Sequence, residues 1–475
     1  MMRSPREFEG ESAKSTDLPV SKGVVLFITA MSSFLTPLMG SAVNLALPAL
    51  GREFAMDAVT LAWVSTAYLL SAAAFLVPFG RIADIYGRKR VFLCGIGALT
   101  VTSLLCGLAP SAGFLIAFRV LQGIGGSMIF GTGVAILTSV YPASQRGRAL
   151  GINTAAVYLG LSMGPFLGGL VTQHLGWRYV FFMNLPICLF IITLVLSKLK
   201  GEWAGARGEK IDIVGSGIYT LSITSLIYGL SHIPSAIGGM LVGAGVIGFL
   251  GFILWEARSK SPVLDVNLFR LNRLFAMSNL SALINYSATF AVGFLMSLYL
   301  QYVKGLSPQV AGIVMISQPA VQAIFSPLAG RLSDRVEPRI VSSAGMGLTA
   351  AGLFLLAFIN QLTPMGALIG ILGLLGFGFA LFASPNTNAV MSSVDTRLYG
   401  VASGTLGTMR LVGNMLSMAV VMLLFALIIG KTRITHENTS AFLASARVAF
   451  LVFSGVCALG IIPSMVRGKV RQANS

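Results

Sequence analysis

Gly80-Arg81-Ile82-Ala83-Asp84-Ile85-Tyr86-Gly87-Arg88-Lys89-Arg90 lies between two long apolar runs, and Gly330-Arg331-Leu332-Ser333-Asp334 repeats its opening 250 residues later. The first stretch is too short for anything but a turn between antiparallel helices. Gly80 and Gly87 allow close approach and positive φ there, while Asp84 can cap the next helix or pair with a neighbouring arginine. One copy alone could be a basic loop that happens to contain Gly and Asp. Two copies at matched places mark an internal duplication.

Crossing about 30 Å of hydrocarbon takes about 20 apolar residues. Windows of that kind fall near 23–50, 59–80, 90–109, 113–140, 148–172, 178–198, 212–232, 235–255, 275–302, 309–329, 340–359, 363–385, 400–430 and 446–466. One copy of the turn follows span 2 and the other follows span 10, so spans 1–6 and 9–14 read as equivalent six-helix halves. Spans 7 and 8 are then an inserted pair. The expected organisation is a tail at 1–22, a first bundle at 23–200, the inserted pair with its loops at 201–262, a second bundle at 263–466 and a tail at 467–475. The fold class is an all-α membrane protein. Parallel halves around a central cavity suit a transporter that rocks about a midplane site.

Composition agrees. Of 475 residues 55% are hydrophobic and 10% charged, too much apolar surface for a soluble chain to cover. The net charge of +17 is spread over short loops rather than one soluble face, which argues against a nucleic-acid partner and for membrane lipid. With the N-terminus cytoplasmic, 25 of the 33 Lys and Arg lie inside, six outside and two, Arg119 and Arg410, within spans. The positive-inside rule therefore puts both termini in the cytoplasm, and the expected location is a prokaryotic plasma (inner) membrane. The four cysteines sit singly in apolar runs, so neither a disulfide framework nor a metal site is expected. The apolar run after Lys22 is too long for a signal-peptide core and reads as an uncleaved first span.

Span 4 contains Leu115-x-x-x-Arg119-x-x-Gln122-Gly123-x-Gly125-Gly126. Arg119 stands about 9 Å along its helix, so it can face a cavity, snorkel to headgroups or bond backbone carbonyls. In span 5, Gly160, Gly164 and Gly168 recur every four residues and form a stripe for close helix approach, with Gly169 beside it and Pro165 freeing a carbonyl. Gly151 lies about half a turn off that stripe.

These elements, in this order, resemble the major facilitator superfamily. The Gly-Pro motif of span 5 (Gly151, Gly160, Gly164, Pro165, Gly168, Gly169) resembles its antiporter signature. The inserted pair, Trp177-Arg178-Tyr179-Val180-Phe181-Phe182-Met183-Asn184-Leu185-Pro186 and Ser384-Pro385-Asn386 are similar to its fourteen-span drug/proton antiporter branch. The resemblance implies a major facilitator fold and a conformational gating loop built from Gly80, Arg81, Asp84, Gly87 and Arg88, with Gly330, Arg331 and Asp334 in the second half. In span 1 the branch has an aspartate that is thought to exchange protons and face cationic substrates. This chain has Met39 there, followed by Ser41-Ala42-Val43-Asn44-Leu45-Ala46-Leu47-Pro48.

All sixteen acids fall in termini, loops or span ends, Asp212 and Glu256 coming nearest the membrane. Arg410, about 15 Å inside span 13, is too deep to snorkel and should face the cavity or a polar partner. His174, His232 and His436 fall in outer loops or at span ends. The substrate or coupling cavity is expected to draw on Arg119, Arg410, Met39, Asn44, Gln122, Asn285, Tyr286, Gln318 and Gln322, with Asn414 a further neutral polar group.

The expected function is secondary active transport by alternating access: multidrug-type efflux of amphipathic compounds, driven by the proton gradient through Asp84, Glu53, Asp57 or the substrate itself. A small-molecule substrate is the only partner expected besides lipid, the working unit is a monomer, and no cofactor is required. The alternative is an organic-anion transporter with Arg119 and Arg410 as counter-charges, since two fixed cations without a carboxylate favour anions. A membrane enzyme would need a nucleophile, metal cluster or carboxylate dyad, and a sensor usually appends a soluble domain; the sequence shows neither, so no catalytic residue is assigned.

Overall fold

The computed structural model describes residues 21–206, 208–209, 211–258, 266–395, 398–430, 432–435 and 438–468, with the side chains at 143, 144, 266, 267 and 334 excepted. The tail at 1–20, the residues beyond 468, His436 and the Asp334 side chain lie outside this description.

Among the described residues, fourteen helices are long and apolar enough to cross a membrane. The first half holds span 1 (Lys22–Glu53), span 2 (Ala58–Tyr86), span 3 (Arg88–Gly107), span 4 (Ala112–Val140), span 5 (Gln145–His174) and span 6 (Arg178–Lys198). Span 7 (Ile213–Ser231) and span 8 (Ala236–Glu256) follow. The second half holds span 9 (Arg273–Val303), span 10 (Pro308–Ser333), span 11 (Pro338–Leu356), span 12 (Met365–Ser392), span 13 (Tyr399–Ile429) and span 14 (Thr439–Val466). The even count returns the chain to the face on which span 1 begins, here called the terminal face; the other is the far face.

The two copies of the turn are built differently. Between spans 2 and 3 a single residue, Gly87, makes the corner at φ 122°. Arg88 reaches back across it to Asp84 at 2.7 Å and bonds Ser139 of span 4 at 2.5 Å, so Asp84 pairs rather than caps. Between spans 10 and 11 the chain turns through extended Val336, and Pro338 opens the next helix with its φ already suitable. Gly80 lies within span 2, where a Cβ on Gly131 of span 4 would come 3.5 Å from the Gly80 Cα.

The connector after span 6 closes over the first corner. Trp203 O accepts from Arg88 N at 2.8 Å, Glu202 Oε1 from Lys89 N at 2.7 Å and Asp84 O from Ala206 N at 2.9 Å, while Glu209 pairs with Arg81. A loop that composition marks only as charged is thus fastened to the turn. It leads to span 7, capped by Asp212, whose Tyr219 and Thr220 donate to Ala73 O and Ala74 O of span 2, each at 3.1 Å.

Span 14 ends at Val466, and the first residue of the expected tail at 467–475 is still packed into the bundle. Arg467 is 1% exposed and sits between spans 9, 11 and 12, donating to Asn386 Oδ1 at 2.8 Å and Ser342 Oγ at 3.0 Å, with Ser278 Oγ at 3.4 Å. Burial pulls its guanidinium down to about 10. That still leaves it charged at neutral pH, and three neutral acceptors hold it at the end of the bundle.

Candidate functional site: the polar seam between the halves

Span 5 supplies one wall of the seam. Its stripe packs on span 1: a Cβ on Gly160 would lie 2.3 Å from Phe34 O, one on Gly164 1.8 Å from Ser41 Oγ and one on Gly168 2.5 Å from Ala42 Cα. Pro165 and Gly169 face the other half. A Cβ on Gly169 would meet Pro308 O at 2.4 Å, and one on Gly312 would meet Pro165 O at 2.3 Å. Gly151 touches nothing of this kind within 4 Å and is exposed.

Toward the far face, hydrogen bonds join the halves. Ser297 Oγ donates to Asn44 O at 2.5 Å and Gln301 Nε2 to Leu45 O at 3.2 Å, carbonyls of the turn that precedes Pro48. Pro48 has no N–H to offer Asn44 O, which leaves that carbonyl for a partner across the seam. His174 meets Gln309 at 3.2 Å, and Ala58 N donates to Thr432 O at 3.0 Å.

Deeper in the seam, around the middle of the spans, lies a polar cluster. Tyr158 of span 5 is in polar contact with Gln322 and Ser326 of span 10 and lies in the field of Arg410 and Tyr286. Arg410 of span 13 stands over the ring of Tyr286 of span 9, its Cζ 5.1 Å from the centroid, and also contacts the Tyr286 hydroxyl. The groups that act on Arg410 electrostatically are these two tyrosines, with no carboxylate among them. Among the described residues its Nε is buried without a hydrogen-bond partner, as is Asn414 Oδ1 one turn along span 13. A guanidinium within a span costs about 2.5–3.5 kcal/mol on insertion scales, and cation–π contact returns about 2 kcal/mol when desolvated. Gln318, four residues before Gln322, shares its helix face and is half-buried.

Arg119 is placed elsewhere. It is 1% exposed inside the first half, donating to Val64 O of span 2 at 2.9 Å and to Gln122 Oε1 at 2.6 Å, with Tyr68 beneath it at 4.6 Å. Gln122 in turn donates to Ser103 of span 3 at 2.8 Å. The chain of bonds ties spans 2, 3 and 4 together and uses the backbone-carbonyl option that the sequence left open. Asn285 is buried between spans 9 and 14 against Cys457, and Met39 is fully buried in the apolar core. Asn44 bonds Ser65 within the first half and reaches the seam through its carbonyl.

Tyr158 escaped the sequence reading, although a signal existed. Pro165 and Gly169 follow it by seven and eleven residues, which at 100° per residue returns to within about 20° of the same face. A tyrosine on the face opposite the glycine stripe points away from span 1. Arg467 carried no such signal, because sequence neighbours alone made it tail.

The family model for the Major Facilitator Superfamily matches residues 29–261 and 279–473. Among similar proteins, a riboflavin transporter of Clostridioides difficile is 29% identical over 93% of this chain and 96% of its own length. The multidrug resistance protein Stp of Mycobacterium tuberculosis is 33% identical over 84% of this chain and 74% of its own. A cephamycin export protein of Amycolatopsis lactamdurans is 32% identical over 84% of both. Two matched segments covering both halves, fourteen spans and a polar seam between the bundles agree: the chain belongs to the Major Facilitator Superfamily and is a membrane transporter of small molecules.

Proposed function

We propose that the chain exports amphipathic organic compounds by alternating access, as a monomer, from a cytoplasmic terminal face and at the expense of the proton gradient. The observation that carries this reading is the Tyr158, Tyr286, Arg410 cluster, which is shared by both halves and lies beneath a sealed far face. A ligand that touches both halves there is exposed to the far side when the seal opens. The names of the relatives, covering riboflavin, cephamycin and multiple drugs, support organic cargo. The distribution of basic residues supports the orientation in a prokaryotic plasma membrane.

Within this reading, an organic anion is favoured by one feature: among the described residues, tyrosines and no carboxylate act on Arg410. Of the two counter-charges expected, Arg119 is committed to Gln122 and Val64 O, which leaves Arg410. The acids expected to carry protons are engaged as well, Asp84 with Arg88, Glu53 with Arg178 and Trp177, and Asp57 capping span 2. Coupling through the charge of the substrate needs none of them.

The test is efflux of a compound panel from cells lacking their own pumps, at two external pH values. Energy-dependent export of one or more compounds, changed by external pH, is expected. Export of none, or uptake alone, overturns the proposal.

A further inference from the structure

We infer that the seam cluster is a binding site for planar aromatic anions, gripped between Tyr158 of one half and Tyr286, Arg410 and Asn414 of the other. This rests on the export reading for its biological use, but the binding chemistry stands on the geometry alone.

Four observations converge. Arg410 is a fixed cation faced by tyrosines rather than by a carboxylate, so its positive charge is available to a ligand. Among the described residues its Nε has no acceptor and Asn414 Oδ1 has no donor, so one turn of span 13 presents a donor and an acceptor to a ligand. Tyr286 already presents its ring face to the guanidinium at 5.1 Å, an arrangement that another π-surface can extend. Tyr158 brings an aromatic ring from the other half, anchored by Gln322 and Ser326. A flat ring bearing a carboxylate or phenolate meets all of these: its charge on Arg410, its face on the tyrosines and a ring hydroxyl or N–H on Asn414. A flexible aliphatic anion meets only the first. An aromatic cation is repelled by the same guanidinium that attracts the anion.

The experiment is equilibrium binding to the purified full-length transporter in lipid nanodiscs. The probes are 2-naphthoate, cyclohexanecarboxylate, naphthalen-2-ylmethanol and naphthalen-2-ylmethylammonium. The wild type is expected to bind 2-naphthoate at least about ten-fold tighter than either the aliphatic anion or the aromatic cation. Arg410→Gln is expected to remove the preference for naphthoate over the neutral alcohol, while Arg410→Lys keeps a part of it. Tyr158→Leu and Tyr286→Leu are expected to narrow the gap between the aromatic and aliphatic anions. Equal binding of the charged probes by the wild type overturns the inference before any variant is made. So does an anion preference that survives Arg410→Gln. A protein that exports dyes yet shows no anion preference loses this inference and keeps the export reading. One that binds naphthoate as stated but exports nothing loses the export reading alone.

Discussion

Arg410 and Tyr286 meet because Gly413 lets their helices touch: a Cβ at Gly413 would lie 2.8 Å from Leu283 O and 2.8 Å from Tyr286 Cβ. Both are atoms of span 9 that cannot rotate away. The geometry of the seam cation is therefore set three residues away from it, by a missing methyl group.

Gly413→Ala should separate spans 13 and 9, at a destabilisation of about 1–3 kcal/mol, the usual range for overpacking. Efflux of an aromatic anion from cells should fall, and the purified protein should melt earlier. Gly407→Ala, on the same span with nothing within 4 Å of its Cβ, is the control and should behave as wild type. If the two variants are indistinguishable, close approach at Gly413 does not position the cluster.

The two arginines make opposite predictions. Arg119→Gln breaks bonds to Val64 O and Gln122 in a buried position, where hydrogen bonds to a charged group are worth about 1.5–3 kcal/mol each. Thermal stability should drop with substrate preference unchanged. Arg410→Gln removes a charge that lacks a partner at Nε, so stability should hold or rise while anion export is lost. Efflux and melting curves on both variants check the pair. A loss of anion preference in Arg119→Gln with normal stability would return Arg119 to the cavity.

This contrast also shows what a sequence can carry. Fourteen spans and the paired turns are legible because lipid demands about 20 apolar residues per crossing and a duplication leaves its spacing behind. Whether a buried polar atom is free or satisfied depends on which backbone carbonyl a neighbouring helix turns toward it. Nothing local to Leu115–Gln122 reveals that Val64 O will be that carbonyl. Arg467 fails to read for the same reason, since its acceptors, Ser278, Ser342 and Asn386, come from three distant helices. Tyr158 was legible in principle through its shared face with Pro165 and Gly169.

The corner at Gly87 combines a positive φ with a crowded neighbour: a Cβ there would stand 2.4 Å from the Glu202 carboxyl carbon. Gly87→Ala should cost about 1–3 kcal/mol in backbone strain and push the connector off the turn. Slower transport with reduced expression is the expected outcome. Gly80→Ala, with open space at its Cβ, should be tolerated. Pairing Gly87→Ala with Glu202→Ala relieves the crowding and leaves the strain, so partial recovery of transport in the double variant would separate the two effects. No recovery, with Glu202→Ala alone transporting as wild type, would assign the whole loss to the backbone.

Glu53, at the far-face end of span 1, is that span's one carboxylate, and Met39 deeper in it is fully buried, which bears on energetics. A substrate that leaves as an anion carries its own charge across the membrane, and one elementary charge moving through 100 mV is worth about 2.3 kcal/mol. An interior that is negative therefore favours export of the anion, so the electrical component of the proton gradient can drive it without a proton binding to the protein. In proteoliposomes with a potassium-valinomycin potential and no pH gradient, an aromatic carboxylate should distribute toward the positive side by roughly 50-fold per 100 mV. Exchange against a proton would steepen this dependence. Transport that ignores the potential and follows only the pH gradient would mean that the acid moves in neutral form, and Arg410 would then be no counter-charge.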